Sequence, residues 1–72
     1  MANAVIYFNV SKPLTIYNLS SITVPQEKTV KIFTLEDIDH FVLPSGGITI
    51  IGENNTLCVK GDNVHHIVIV KD

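Results

Sequence analysis

Five short runs of this sequence carry apolar residues at consecutive positions, and consecutive side chains of a β-strand point to opposite faces of the sheet. The runs are residues 5–8, 32–33, 41–43, 50–51 and 67–70. Strands of this kind need cover on both sides. Because no segment looks long enough to lie across a sheet as a helix, the pattern predicts that a second copy of the protein supplies part of that cover.

Turn-forming residues separate these runs. Clusters of Gly, Pro, Asn, Asp and Ser recur along the chain, and each of these residue types favours turns for its own backbone reason. The segments between the clusters are rich in Val, Ile, Thr, Tyr and Phe, which suit a pleated sheet. The sequence therefore predicts one all-β domain over residues 1–72, an antiparallel sandwich or barrel of about seven to eight short strands.

Residues 35–43 have two interpretations. Thr34 and Asp37 have the spacing of a capping box, and apolar residues then recur at helical spacing, which would make residues 35–40 a short helix. The alternative is a strand, which we favour from Phe41 onward because the apolar run stops at Pro44.

The sequence also repeats weakly at an offset of 26 residues. The matching segments are 22–24 with 48–50, 40–43 with 66–69 and, after one extra residue in a turn, 29–32 with 56–59. The repeat predicts two hairpins, over about residues 21–33 and 47–60, each followed by a further strand. The same period suits a β-solenoid, which at this length would need trimerisation because stacked repeats need about three units.

Size and composition favour association. A domain this small buries only about 60% of the surface of its unfolded chain, so disulfides, a metal or oligomerisation usually support it. Cys58 is the only cysteine, which excludes an intrachain disulfide and fits a reducing compartment. The start of the chain has no basic segment typical of a signal peptide, and no apolar run approaches the length of about 20 residues that a membrane helix needs. We expect a cytoplasmic or virion location and no membrane partner.

The charge pattern makes a nucleic-acid partner an unfavoured hypothesis. The net charge is -2, arginine is absent and the five lysines are scattered, whereas nucleic-acid binders normally carry a basic stripe. Residues 47–51 and 57–62 resemble the later part of the tryptophan-sensing RNA attenuation proteins, small all-β subunits that assemble into rings. The resemblance implies a ring-forming subunit. RNA binding is not carried over, because only Lys60 stands where that family has a run of basic residues.

No set of residues predicts catalysis, a cofactor or a metal. His65 and His66, as neighbours on a strand, are expected to point to opposite faces and not to share an ion. His40 and His66 occupy matching places in the repeat, but an ordinary structural role is the simpler interpretation. Cys58 has no activating neighbour in the sequence. The acidic residues 36, 37 and 39 lack the pattern of a calcium loop, and the glycines lack that of a phosphate loop.

These observations predict a non-enzymatic structural or protein-interaction module that assembles into a homo-oligomer, such as a phage, virion or other assembly component. The expected contact residues are Phe41, Val42, Ile67 and Val68. The alternative is an oligomeric regulatory protein that binds a small ligand, nucleotide or RNA between subunits, with the polar loops at 53–55 and 62–63 lining the cleft. Another protein partner is compatible with both hypotheses.

Overall fold

A computed structural model of the 72-residue chain describes residues 1–71. Seven strands and two single turns of 3₁₀-helix, η1 and η2, make up its regular structure. In chain order they are β1 (Ala2–Phe8), β2 (Leu14–Ile16), β3 (Leu19–Pro25), β4 (Val30–Thr34), η1 (Ile38–His40), β5 (Gly47–Gly52), β6 (Thr56–Lys60), η2 (Gly61–Asn63) and β7 (Val64–Lys71).

The strands form two antiparallel sheets in a sandwich-like arrangement. One sheet has the order β2-β1-β7 and the other β4-β3-β5-β6. The predicted all-β, antiparallel architecture is confirmed. The barrel interpretation is wrong, because within residues 1–71 each sheet ends in strands that have a partner on one side only. The solenoid interpretation is wrong because every described strand pair is antiparallel, whereas the stacked coils of a parallel β-helix pair in parallel.

The core lies between the two sheets and uses one face of each strand. In β1, Ala2, Ala4 and Ile6 are buried while the residues between them are partly exposed. Ile48 and Ile50 alternate in the same way in β5. Complete burial of such a side chain contributes about 1.5–3 kcal/mol relative to leaving it exposed. The second face of the apolar runs is covered less completely, since Val5 and Ile51 are partly exposed and Val68 and Val70 are 41% and 45% exposed.

The two predicted hairpins, β3–β4 and β5–β6, lie side by side in the four-stranded sheet. Ile22 pairs with Phe33 and Ile48 with Val59, so both hairpins have the same register at a constant offset of 26 residues. The extra turn residue that we expected is therefore unnecessary. The central pairing of β3 with β5 relates the two hairpins by an approximate two-fold axis.

The segment before β5 differs from its prediction. Residues 41–44 form no strand, and the helix expected over 35–40 is reduced to the single turn η1. Backbone bonds from His40 N to Asp37 O (2.9 Å) and from Phe41 N to Ile38 O (3.1 Å) tighten that turn. Ile38 is buried and holds the turn against the core. The segment therefore covers the core with side chains and does not enter a sheet.

Residues 45–46 are held by η2. Gly61 N donates to Gly46 O at 2.7 Å, and Asp62 N donates to Ser45 O at 3.1 Å. A Cβ atom at position 61 would lie 1.6 Å from Pro44 O. Only glycine fits this close backbone approach, which fixes the far end of the segment beside the start of β7.

Candidate functional site

The free edge of β7 is a hydrogen-bonding surface that no other described strand covers. β7 has eight residues, the most of any described strand, and it pairs only with β1. Among residues 1–71, no backbone hydrogen bond reaches its other side. Residues 64–70 contain no proline, glycine, lysine, arginine or acid. A long apolar edge of this kind is a template for pairing with another strand.

The other three edge strands carry features that discourage such pairing. β2 has three residues and follows Pro13, and β6 has only five residues. β4 places Lys31 on the inward face beside Phe33, with Nζ 5.0 Å from the ring centroid. Short length, proline and inward-pointing charge are the usual means of protecting an edge. β7 has only Lys71, at its very end.

A groove of about 330 Å³ runs beside this edge, between β7 and the segment that contains η1. Ile38, Phe41 and Leu43 line one side, and Ile67 and Ile69 line the other together with the two histidines of β7. Both isoleucines face inward, because they pair with the buried residues of β1. A strand added to β7 would direct its own inward side chains toward this groove.

The four predicted contact residues differ in burial and in their distance from the groove. Phe41 and Ile67 are partly buried and meet in the groove, where the Phe41 ring also packs edge-on against Phe33 at 5.3 Å between centroids. Val68 is 41% exposed on the outer face of β7, opposite Val5. Val42 is 80% exposed and does not line the groove. The structure therefore places three of the four residues on or beside the β7 edge.

A β-bulge at the start of β7 brings its two histidines together. Tyr7 pairs with His66 and Phe8 pairs with Val64, which leaves His65 without an opposite residue. His65 Nδ1 and His66 Nδ1 lie 2.6 Å apart, so one nitrogen donates and the other accepts. The expectation that these side chains point to opposite faces is wrong, because a bulge interrupts the alternation of the strand. No hydrogen bond or ring contact joins His40 to His66 in the described chain.

Tyr7 holds one of these histidines in place. Its ring stacks on that of His66, with 4.4 Å between centroids and 13° between planes. The ring of His65 meets His66 at 75° and 4.8 Å. The sequence offers the adjacent histidines as a signal, but nothing in its alternation shows the bulge.

A salt bridge ties η1 to the end of β7. Lys71 Nζ donates to both carboxylate oxygens of Asp39, at 2.8 and 2.9 Å. These hydrogen bonds, and then the positive charge itself, lower the pKa of Asp39. Both side chains are largely exposed, so the bridge contributes little to stability. Its position at one end of the groove links the flanking segment to the edge strand.

The remaining candidate groups lie apart from this site. Cys58 is on the outer face of the four-stranded sheet, with Sγ 3.7 Å from Thr49 Oγ1. In the described part of the chain, no cluster of three or more His, Cys, Asp or Glu residues is positioned to hold a metal ion. Over the same residues, no helix has the length and apolar character needed to cross a membrane.

The fold and the site together define a small β-sandwich with one unprotected sheet edge. Comparison of the chain with protein-family models, with curated proteins and with solved structures gives no match. The edge, the groove and the histidine pair are therefore the features that indicate what the protein can bind.

Proposed function

We propose that the protein is a non-enzymatic structural module that assembles with copies of itself by pairing β7 of one chain with β7 of another. The observation that carries this proposal is the unpaired edge of the longest described strand, which has no Lys, Arg, Asp or Glu before Lys71. Pairing would supply hydrogen-bond partners for the free main-chain groups. It would join two three-stranded sheets into one continuous sheet of six strands.

Two-fold symmetry restricts how the strands would pair. Opposed residues in an antiparallel pair share a face, so inward residues have to meet inward residues. A register with Val68 opposite Val68 of the second copy meets this requirement, and it places Ile67 opposite Ile69 of the second copy. Each such cross-strand pair contributes roughly 0.2–1 kcal/mol. The register also keeps the two Lys71 side chains away from each other, at opposite ends of the paired segment.

The groove adds specificity to this pairing. In recognition by strand addition, main-chain hydrogen bonds supply affinity and pockets for alternate side chains supply selectivity. Ile67 and Ile69 of the incoming strand would point toward the groove beside Phe41 and Leu43. A strand with charged inward side chains would place those charges in the groove without oppositely charged partners. The apolar β7 of a second copy is therefore a well-matched occupant.

Size-exclusion chromatography with light scattering tests the proposal. At micromolar concentration we expect a dimer or higher oligomer whose mass falls on dilution. A monomer at every micromolar concentration would contradict the proposal. Hydrogen exchange provides a second measurement. The β7 amides that face the free edge would be protected at high protein concentration and would exchange with solvent at low concentration.

We further propose that the assembled protein serves as a component of a larger structure, such as a phage or virion, or of a cytoplasmic assembly. The exposed thiol of Cys58 is compatible with a reducing compartment. An assembly component needs stable surfaces and no catalytic set. Electron microscopy of the concentrated protein would detect regular particles, and a uniform population of free dimers would argue against this larger role.

The alternative is an oligomeric regulatory protein that holds a small ligand, nucleotide or RNA between subunits. Its favourable observation is the partly apolar groove at the same edge. The polar loops predicted to line a cleft are already engaged, since Glu53 accepts a hydrogen bond from Asn18 and Asp62 N donates to Ser45 O. A thermal-shift screen separates the two functions, because a specific ligand raises the melting temperature by mass action.

A further inference from the structure

The bulge in β7 brings two imidazole nitrogens side by side at the surface. His65 Nδ1 and His66 Nδ1 lie 2.6 Å apart, and the stacked Tyr7 ring fixes the orientation of His66. The contact is a hydrogen bond in which one Nδ1 carries the proton. When that proton moves to Nε2 of its own ring, both Nδ1 lone pairs become available to a cation, which would replace the hydrogen bond.

The separation of the nitrogens shows that both can reach one ion. With metal–nitrogen bonds of about 2.0 Å, neighbouring ligands lie about 2.8 Å apart around a square-planar ion and about 3.3 Å apart around a tetrahedral one. The observed 2.6 Å is a hydrogen-bond distance, and a small rotation of the exposed rings reaches the spacing that an ion needs. Imidazole is a preferred ligand of Cu²⁺, which adopts square geometry and binds most tightly in the divalent series.

We propose that His65 and His66 form a binding site for a single Cu²⁺ ion. Both ligands would bind through Nδ1, after the rings separate by a few tenths of an ångström. Both histidines are exposed, so water would occupy the two remaining positions and the ion would exchange with solvent. The site depends on the bulge within one chain and not on the proposed association.

Fluorescence quenching by CuSO₄ tests this site. Tyr7 and Tyr17 are the only tyrosines and tryptophan is absent, so Tyr17→Phe leaves Tyr7 as the sole emitter beside the site. Cys58→Ser in the same chain removes the competing thiol. We expect quenching that saturates at one ion per chain. His65→Ala should weaken binding by about tenfold or more, because it removes one of two protein ligands while Tyr7 keeps its stacking partner.

His40→Ala is the matched control, since it removes an exposed histidine outside the bulge. It should leave the affinity unchanged, and circular dichroism should show that both variants fold. Affinity in His65→Ala within twofold of the parent would overturn the site, as would an equal loss in His40→Ala. Zn²⁺ should bind at least about tenfold more weakly than Cu²⁺ by calorimetry, and equal affinity would refute the assignment to Cu²⁺. Measurement below the association concentration keeps this result separate from self-assembly.

Discussion

Replacing Val68 by lysine is expected to abolish self-association without unfolding the protein. The side chain is 41% exposed on the outer face of β7, so the isolated chain can carry an ammonium group there. In the proposed register this position meets its own copy across the two-fold axis. V68K would therefore place two positive charges opposite each other and remove two apolar side chains from the contact.

The loss of association free energy in V68K follows from charge repulsion and from the loss of apolar burial. Two ammonium groups about 4 Å apart repel by about 1 kcal/mol in water and about 4 kcal/mol at the effective dielectric of a protein surface. Burying the remaining exposed part of Val68 would contribute about 1 kcal/mol per copy, from the usual value for a complete side chain. A combined loss of at least about 2 kcal/mol weakens the association at least thirtyfold.

Sedimentation velocity over a concentration series measures this change. The matched control is V42K, which makes the same substitution at a residue that is 80% exposed and outside the groove. We expect V68K to sediment as a monomer where the parent and V42K both sediment as oligomers. If V68K associates as tightly as the parent, β7 is not the contact edge. A loss confined to V42K would place the contact on the loop instead.

Two further predictions concern the elements that flank the edge. Gly61→Ala should lower the free energy of unfolding by about 1–3 kcal/mol, because its Cβ would lie 1.6 Å from a backbone carbonyl oxygen and η2 would have to shift; an unchanged urea midpoint would show that η2 does not hold the segment before β5. Asp39→Asn should remove the small stabilisation that Lys71 provides. Because the pKa of Asp39 is lowered in the folded state, that stabilisation is present above the ordinary carboxylate pKa and is lost as pH falls through the folded value. The parent and this variant should therefore differ in urea unfolding at neutral pH and coincide in strong acid, and a difference that persists in acid would assign the effect to something other than the charge.

The sequence predicted the features that depend on local patterns. Alternation and turn residues were sufficient for the all-β architecture and for the two hairpins, since Ile22 and Ile48 occupy the same place in each. The architecture was predictable because alternation along a strand fixes which side chains are buried. The register was not, since the expected extra turn residue shifted the match of 29–32 with 56–59 by one position, whereas the structure keeps the 26-residue offset in both hairpins.

The predictions that were wrong concern features that depend on contacts between distant residues. Phe41 follows an apolar pattern typical of a strand, but Ile38 and the Phe33 ring offer it a place against the core. The bulge at His65 is fixed by how β1 and β7 meet, and no local rule indicates which strand carries an extra residue. The sequence therefore identified the histidines and misplaced their side chains.

The outer faces of the two sheets explain why association should involve β7. The four-stranded sheet presents Thr23 opposite Thr49, so its centre is compatible with solvent. The three-stranded sheet presents Val5 opposite Val68, with Val70 45% exposed beside them. The outer face of the four-stranded sheet also carries exposed apolar residues, since Val30 and Ile32 of β4 are 55% and 57% exposed, whereas Val68 and Val70 lie on the strand with the unprotected edge. Strand pairing at that edge would join the exposed apolar residues of one copy to those of the next. The outer apolar faces of β1 and β7 would then both take part in the contact between copies.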